Sequence, residues 1–180
     1  MDEVSIGVNA YDILTTGKDQ YGVPYPLGFQ AGGEYKLPLY IYLVSLSMAF
    51  FGHTEFAIRF PSALFGTLTI PVIFLLLQEL LSREKKQKHA QAFSLLGTTF
   101  FAFTPWHIHF SRGGFEATVA LFLFAIGLWS ILVYARTLQR RYLIGAIIPW
   151  VLSAYTYNFY RIFALLSFAV VVGLSVWTKI

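Results

Sequence analysis

The chain has 180 residues, of which 57% are hydrophobic, 18% aromatic and only 12% charged. A soluble domain carries about 25% charged residues, so these few charges cannot cover the surface of a soluble protein of this size. With a mean hydropathy of +0.62, the composition excludes a disordered chain and a coiled coil and indicates an integral membrane protein. The absence of cysteine excludes disulfide frameworks, thiolate metal sites and cysteine nucleophiles.

The first 36 residues are predicted to form a polar lobe. Apolar residues recur at helical spacing between Asp2 and Thr16, and Gly17 is suited to end that helix. Frequent glycine and proline residues then predict an irregular loop as far as Lys36. The first 59 residues contain more acids than cations, which favours an external position for residues 1–59.

Residues 37–52 form a short apolar segment that has two interpretations. At about 1.5 Å per residue such a helix is about 24 Å long, whereas the hydrocarbon core of a bilayer is about 30 Å thick. The segment either crosses the bilayer, which places residues 1–36 in the cytoplasm, or lies along the membrane surface, which leaves them outside.

Five longer apolar segments predict a transmembrane helical bundle over residues 60–180. The predicted spans are 60–81, 92–110, 115–135, 142–157 and 162–178. Cations concentrate at 83–91 and 136–141, and the positive-inside rule places these two loops in the cytoplasm. The predicted fold class is therefore all-α: a polytopic transmembrane protein with about five spanning helices, with the lipid bilayer as its solvent.

The acids at the external ends of helices are candidate functional groups, because charged side chains beside lipid are costly. Asp2 and Glu3 either cap the first helix or provide a carboxylate that accepts a proton from a hydroxyl nucleophile. Glu116 has similar alternatives at the start of a span: a first-turn acid paired with Arg112, or a functional carboxylate.

The cations and aromatic residues near the external ends of the predicted helices also have two interpretations each. Lys36 and Arg59 either extend their charged ends to the membrane surface or hold a phosphate. The aromatic run 155–161 either stacks on a sugar or lipid headgroup or belongs to an interfacial aromatic belt. The cluster at 83–91 is a topology signal, and we expect no nucleic-acid partner.

The sequence predicts no metal site and no cofactor. His107 and His109 are two residues apart, so on a helix their rings face different sides and are unsuited to share a metal ion. The chain contains no phosphate-binding glycine loop, no dinucleotide motif and no serine-hydrolase elbow. A requirement for a divalent ion in the reaction stays open.

Four pieces of the sequence follow one another in a recognisable order. They are the acidic pair Asp2-Glu3, segment 34–40 with its Lys-Leu-Pro, segment 52–64 with its Arg-Phe-Pro-Ser-Ala, and segment 105–116. This order resembles the polytopic glycosyltransferases that use lipid-phosphate-linked sugars. These enzymes form the GT-C superfamily, and the chain is most similar to its protein-mannosyltransferase and aminoarabinose-transferase branch.

The resemblance implies a role for each matching residue. Asp2 matches the catalytic base, and Glu3 matches its usual neighbour. Lys36 precedes the membrane-surface helix and is expected to approach the lipid phosphate. The substrate-binding and lipid-phosphate-binding residues expected from the resemblance are Glu34, Lys36, Arg59, Arg112 and Glu116.

The resemblance also implies a function and a location. The protein is expected to be a multi-pass protein of the plasma (inner) membrane that moves a sugar from a polyprenyl-phosphate donor to a hydroxyl or similar group of a protein, lipid or glycan acceptor. Transfer is expected to take place on the external face, with inversion of the anomeric configuration. A transmembrane helix is expected before the acidic pair, and further helices are expected after residue 180. Residues 37–52 are expected to form a juxtamembrane helix. The alternative is a transporter or flippase for a lipid-linked or anionic solute, in which Glu116 couples to protons.

Overall fold

The computed structural model describes residues 2–31, 33–81 and 89–177, which are predominantly helical, as predicted. In chain order the elements are α1 (Asp2–Thr16), β1 (Phe29–Ala31), β2 (Glu34–Lys36), α2 (Pro38–Phe51), α3 (Glu55–Leu81), α4 (Ala90–Phe103), α5 (Pro105–Arg112), α6 (Glu116–Thr137), α7 (Arg140–Ala154) and α8 (Asn158–Trp177). Most of the predicted cation cluster at 83–91, and residue 178 of the last predicted span, lie outside the described residues.

The N-terminal lobe contains the predicted helix and a hairpin that the sequence did not predict. Helix α1 ends at Gly17, which has a φ of 69° and donates its N–H to the carbonyl of Ile13 at 3.0 Å. The following loop includes the antiparallel pair β1–β2, with Phe29 opposite Lys36. Phe29 is fully buried and anchors the hairpin. The hairpin therefore fixes Lys36 beside the start of α2.

Helix α2 has 14 residues and confirms the helix predicted at 37–52. Pro38 lies in its first turn, where proline is well suited to begin a helix. Its Tyr40 and Val44 are buried in a core shared with Ile6 of α1 and Ala57 of α3. Burial of this apolar surface holds the lobe against the bundle. Whether α2 lies along a membrane surface stays a prediction.

In the described part of the chain, two helices are long and apolar enough to cross a membrane: α3, with 27 residues, and α6, with 22. They correspond to the predicted spans 60–81 and 115–135. They pack against each other, and at their far ends Arg136 Nε lies 3.1 Å from Glu79 Oε1. The crossing of a membrane by the other three predicted spans stays a prediction.

The segment predicted as a span at 92–110 is not one continuous helix. Thr104 adopts an extended conformation with φ −62° and ψ 127°, and it separates α4 from α5. Pro105 explains the break, because proline disfavours helical backbone in the residue before it and cannot donate to the preceding turn. After the break, α5 packs against α3 and leads to the start of α6.

Helices α7 and α8 complete the bundle beside α6. The indole of Trp150 in α7 packs on Gly127 of α6 and donates Nε1–H to the carbonyl of Phe124 at 3.3 Å. At the end of α7, the carbonyl of Tyr155 accepts the N–H of Leu39 at 3.3 Å. This bond connects the α7–α8 corner to the start of α2.

Candidate functional site

The ends of four helices meet around the carboxylate of Glu3. Arg59, near the start of α3, donates Nε–H to Oε1 at 3.0 Å and Nη2–H to Oε2 at 2.9 Å. The backbone N–H of Gly114, between α5 and α6, donates to Oε1 at 2.6 Å. Bidentate, charge-assisted bonds of this kind fix both partners in orientation. Glu3 therefore joins three segments of the chain, one of them 111 residues away.

Two hydroxyl groups hold the turn between α5 and α6 in the position that Glu3 requires. Ser62 of α3 donates to the carbonyl of Phe115 at 2.8 Å, and Thr118 of α6 donates to the carbonyl of Phe110 at 2.9 Å. A Cβ at Gly114 would lie 3.2 Å from the Glu3 side chain. Glycine at this position thus provides the room in which the carboxylate reaches the backbone.

Arg59 lies between two acids of different exposure. It also forms an ion pair with Glu55, one turn earlier in α3. The Glu55 side chain is 70% exposed, whereas that of Glu3 is 31% exposed. The bond from Arg59 lowers the pKa of the Glu3 carboxyl, and the Gly114 N–H lowers it further, although burial acts in the opposite direction. Glu3 is therefore ionised at neutral pH.

A cleft of about 640 Å³ opens next to this pair. Three predicted site residues line it: Glu3, Arg59 and Arg112, the last of which ends α5. The remaining lining residues are Pro105, Ile108, His109, Gly113 and Phe115. Two guanidinium groups beside one sheltered carboxylate suit the binding of an anionic group. We call this space the arginine cleft.

The two histidines of α5 face different surroundings, as their spacing predicts. His109 lines the arginine cleft, whereas His107 is buried and lies against the ring of Phe101, with centroids 4.3 Å apart. Among the described residues, no group of three histidine, aspartate or glutamate side chains is placed to hold a metal ion.

Glu116 lies in the first turn of α6, directly after Phe115, which lines the arginine cleft. Its charge acts on Tyr40 of α2, whose hydroxyl donates to the carbonyl of Ile58 at 2.9 Å. Burial raises the pKa of Tyr40, and the negative charges of Glu116 and Glu3 raise it further. The two acids thus lie on the same side of the molecule, close to the start of α2.

Lys36 lies in a different cleft from Arg59 and Arg112. This second cleft has a volume of about 600 Å³ and includes Asn158 and Arg161 from the start of α8. Its other lining residues are Leu27, Gly28, Gly33, Tyr35 and Leu37. We call it the lysine cleft. The cations predicted to form one binding set are therefore divided between two clefts.

Two predicted residues cannot be assigned to either cleft. Asp2 begins α1 immediately before Glu3, and Glu34 begins β2, but the side chains of both lie outside the described residues. Their predicted roles stay predictions.

Sequence reasoning did not find three residues that help to form the clefts. His109 was considered only as a metal ligand, and Arg161 only as part of an aromatic run. Gly114 was not considered, although a Gly-Gly pair directly before a helix is a sign of close backbone approach.

Comparison with known protein families identifies a match over most of the chain. The family model described as dolichyl-phosphate-mannose-protein mannosyltransferase matches residues 35–179, which is most of the chain. No curated protein and no solved structure matches significantly. The match includes Lys36, Arg59, Arg112 and Glu116, whereas Asp2, Glu3 and Glu34 precede it.

Proposed function

Because the chain belongs to the dolichyl-phosphate-mannose-protein mannosyltransferase family, whose members are integral membrane glycosyltransferases of the GT-C type, we propose that it takes its sugar from a polyprenyl-phosphate donor. The acceptor is a hydroxyl or similar group of a protein, lipid or glycan. The reaction takes place on the external face of the plasma (inner) membrane, where the protein is a multi-pass component. The observation that carries this proposal is the Glu3–Arg59 pair, which is fixed at the rim of a cleft with a second arginine.

The chemistry needs one base and positive charge. The bond between sugar C1 and the phosphate oxygen breaks while the acceptor oxygen bonds to C1, so a single displacement inverts the anomeric configuration. The acceptor proton passes to a carboxylate, and the electron pair of the broken bond leaves with the phosphate. Because phosphate is already a good leaving group, no general acid is required. A base of this kind typically contributes about 10²–10⁴-fold in rate.

We assign the base to Asp2 and a positioning role to Glu3. Both oxygens of Glu3 accept hydrogen bonds from Arg59, and one of them also accepts the bond from Gly114, which leaves Glu3 poorly suited to accept a proton. Asp2 is adjacent in the chain, and an aspartate carboxylate is a chemically suitable base at neutral pH. Glu3 thereby fixes the start of α1, and with it the backbone of Asp2.

The cations have complementary roles in this proposal. Lys36 contacts the donor phosphate from the lysine cleft, with Glu34 beside it in β2. Arg59 and Arg112, which line the arginine cleft, supply positive charge beside the acidic pair. Glu116 is the second acid, near the start of α2. The reaction as proposed uses no organic cofactor.

Replacement of Asp2 tests this function. We expect Asp2→Asn in the full-length protein to reduce transfer from polyprenyl-phosphate mannose by at least 100-fold, because the amide cannot accept the proton. The measurement is the loss of labelled mannose from the lipid phase of membranes that contain the protein and its natural acceptors. Asp12→Asn, the same change in the same helix, is the matched control and keeps full activity. Transfer that survives Asp2→Asn contradicts the assignment.

A further inference from the structure

We propose that Tyr40 of α2 is a positioning residue that holds the arginine cleft and the lysine cleft in alignment, so that a donor in the lysine cleft can reach the acidic pair. The observation behind this inference is that one buried side chain connects elements of both clefts. The inference rests on the proposed function in assigning the donor phosphate to the lysine cleft. It adds the residue through which the two clefts act as one site.

The backbone of Tyr40 is tied to the lysine cleft. Lys36 and Leu37 line that cleft, and α2 begins directly after them. The N–H of Leu39 donates to the carbonyl of Tyr155 at 3.3 Å, which fastens the first turn of α2 to the corner between α7 and α8. The position of Tyr40 is therefore fixed together with that of the lysine cleft.

The side chain of Tyr40 reaches the elements that form the arginine cleft. Its hydroxyl donates to the carbonyl of Ile58, the residue before Arg59, at 2.9 Å. Tyr40 is 1% exposed, and it lies in the same core as Ala57 of α3 and Val119 of α6. The hydroxyl thus holds the start of α3, which carries Arg59, at a fixed distance from the start of α2.

The Tyr40 hydroxyl is suited to donate a hydrogen bond and unsuited to exchange a proton. Burial keeps its pKa above the ordinary tyrosine value, and the negative charges of Glu116 and Glu3 raise the pKa further. The hydroxyl is therefore protonated at neutral pH. Because the residue is buried, water is not available to replace its bond to Ile58. A positioning role thus predicts that loss of the hydroxyl lowers the rate equally at every pH near neutrality.

Loss of this hydroxyl should affect the alignment of the reactants more than their binding. Each cleft keeps its own charged side chains when Tyr40 is replaced by phenylalanine, so the affinity for the donor is expected to change little. A displacement of about 1 Å between reacting groups can lower a rate about 100-fold. A looser fit between the starts of α2 and α3 should therefore lower the maximal rate much more than it raises the KM for the donor.

The test is transfer of labelled mannose from polyprenyl-phosphate mannose, in membranes that contain the full-length protein and its natural acceptors. Tyr40→Phe should lower the maximal rate per protein molecule at least tenfold and leave the KM for the donor within twofold. A smaller loss of rate in the folded variant overturns the inference. The loss should be the same between about pH 6 and pH 8. A loss that changes over this range indicates proton transfer by Tyr40 and also overturns it.

Tyr42→Phe is the matched control in the same helix. The hydroxyl of Tyr42 also donates to a backbone carbonyl, that of Pro26, at 3.0 Å, but Pro26 lies in the loop before β1 and not in α3. Tyr42→Phe should keep its maximal rate within twofold of the unmodified protein. A loss equal to that of Tyr40→Phe means that the contact with α3 is not what matters, and it overturns the inference.

A second variant separates the hydrogen bond from the shape of the ring. Replacement of Tyr40 by 4-aminophenylalanine keeps a donor at the same place and should retain at least half of the maximal rate. A folded 4-aminophenylalanine variant that loses tenfold or more overturns the inference, whether or not Tyr40→Phe folds. Size-exclusion chromatography and circular dichroism show whether each variant is folded.

Thermal unfolding gives a measurement that does not depend on transfer. If Tyr40 places Arg59 to bind Glu3, the two contacts are coupled. The decrease in Tm caused by Glu3→Gln should then be at most half as large in Tyr40→Phe as in the unmodified protein. Decreases that add independently overturn the inference.

Failure of this inference is distinguishable from failure of the proposed function. Transfer that depends on Asp2 but not on the Tyr40 hydroxyl rejects only the positioning role. Coupled changes in Tm without any transfer that depends on Asp2 reject only the catalytic assignment.

Discussion

Glu3 is the residue on which the geometry of the arginine cleft depends most. It accepts three hydrogen bonds, and the donors come from α3 and from the turn between α5 and α6. Loss of its charge leaves the Arg59 guanidinium beside a group that cannot balance it and leaves the Gly114 N–H without a charged acceptor. Such changes are more costly than the loss of a surface ion pair.

The first prediction compares the two acids that bind Arg59. Glu3→Gln should destabilise the protein by about 1–3 kcal/mol, because it leaves partly buried groups without a charged partner. Glu55→Gln should cost about 0–1 kcal/mol, since Glu55 is mostly exposed. Thermal unfolding of both variants in the same detergent measures the difference. An equal or larger effect of Glu55→Gln contradicts the role given to Glu3.

The second prediction concerns pH. Since folding lowers the pKa of Glu3, its ionised form stabilises the protein fully above the ordinary glutamate pKa of about 4.3. That contribution is lost as the pH falls through the lower pKa of the folded state. The difference in Tm between the unmodified protein and Glu3→Gln should therefore be largest near pH 7 and shrink below pH ~4. A difference that grows on acidification indicates a raised pKa and contradicts the prediction.

At the scale of elements, the packing of α7 on α6 determines one wall of an apolar groove of about 460 Å³ between α7 and α8. Trp150 contributes to the helix packing and to the groove. Its ring covers Gly127 and its Nε1–H donates to the carbonyl of Phe124, and the same side chain lines the groove. Close approach of the two helices is possible because Gly127 has no side chain. The shape of the groove thus depends on a residue outside it.

The third prediction follows from this contact. Gly127→Ala should destabilise the protein by about 1–3 kcal/mol, because the added methyl group meets the rigid indole and forces the helices apart. Gly145→Ala is a suitable control, since its new methyl group meets the Ser130 hydroxyl at 3.3 Å, and a small side chain can move away. Thermal unfolding tests the pair, and equal effects would show that α6–α7 contact at Trp150 is not tight.

Elements with a strong local signal could be predicted from the sequence, and those that depend on long-range contacts could not. Helix α1 with its Gly17 end, helix α2, and the long helices α3 and α6 follow from periodicity and from long apolar runs. The hairpin escaped prediction because strands of three residues have almost no periodicity, and its anchor is the burial of Phe29. The break before Pro105 was not predicted, because apolar residues continue on both sides of it.

The same distinction applies to the candidate site. Charge beside lipid made Glu3 and Arg59 candidates and the family resemblance added Arg112, and the fold brings all three to one cleft. The separation of Lys36 from them depends on how the hairpin docks against α8, and nothing local encodes that contact. Arg161 was overlooked for the same reason.

At the scale of the whole molecule, the ends of α1, α3, α5 and α6 gather on one side. The external position of residues 1–59, with α2 along the membrane, stays a prediction. Exposed phenylalanines at the α2–α3 corner, Phe50, Phe51 and Phe56, suit contact with the membrane interface.

The fourth prediction tests that orientation in intact cells. Single cysteines at Tyr21, Thr54, Lys86 and Gln139 of the full-length protein can be treated with a membrane-impermeant maleimide. The first two should be labelled and the last two protected until the cells are lysed. Labelling of Thr54 without Tyr21 would mean that α2 crosses the bilayer, and the transporter interpretation would then be favoured.

The bond from Gly114 to Glu3 has a consequence for synthesis of the protein. Glu3 leaves the ribosome 111 residues before Gly114, which at about 5–20 residues per second is a delay of roughly 6–22 s. During that interval the first helix can meet Arg59 but lacks its last anchor. The acidic pair thus acquires its final position only after α3 and the turn before α6 have been made, so a nascent chain is expected to remain inactive until its later helices are inserted.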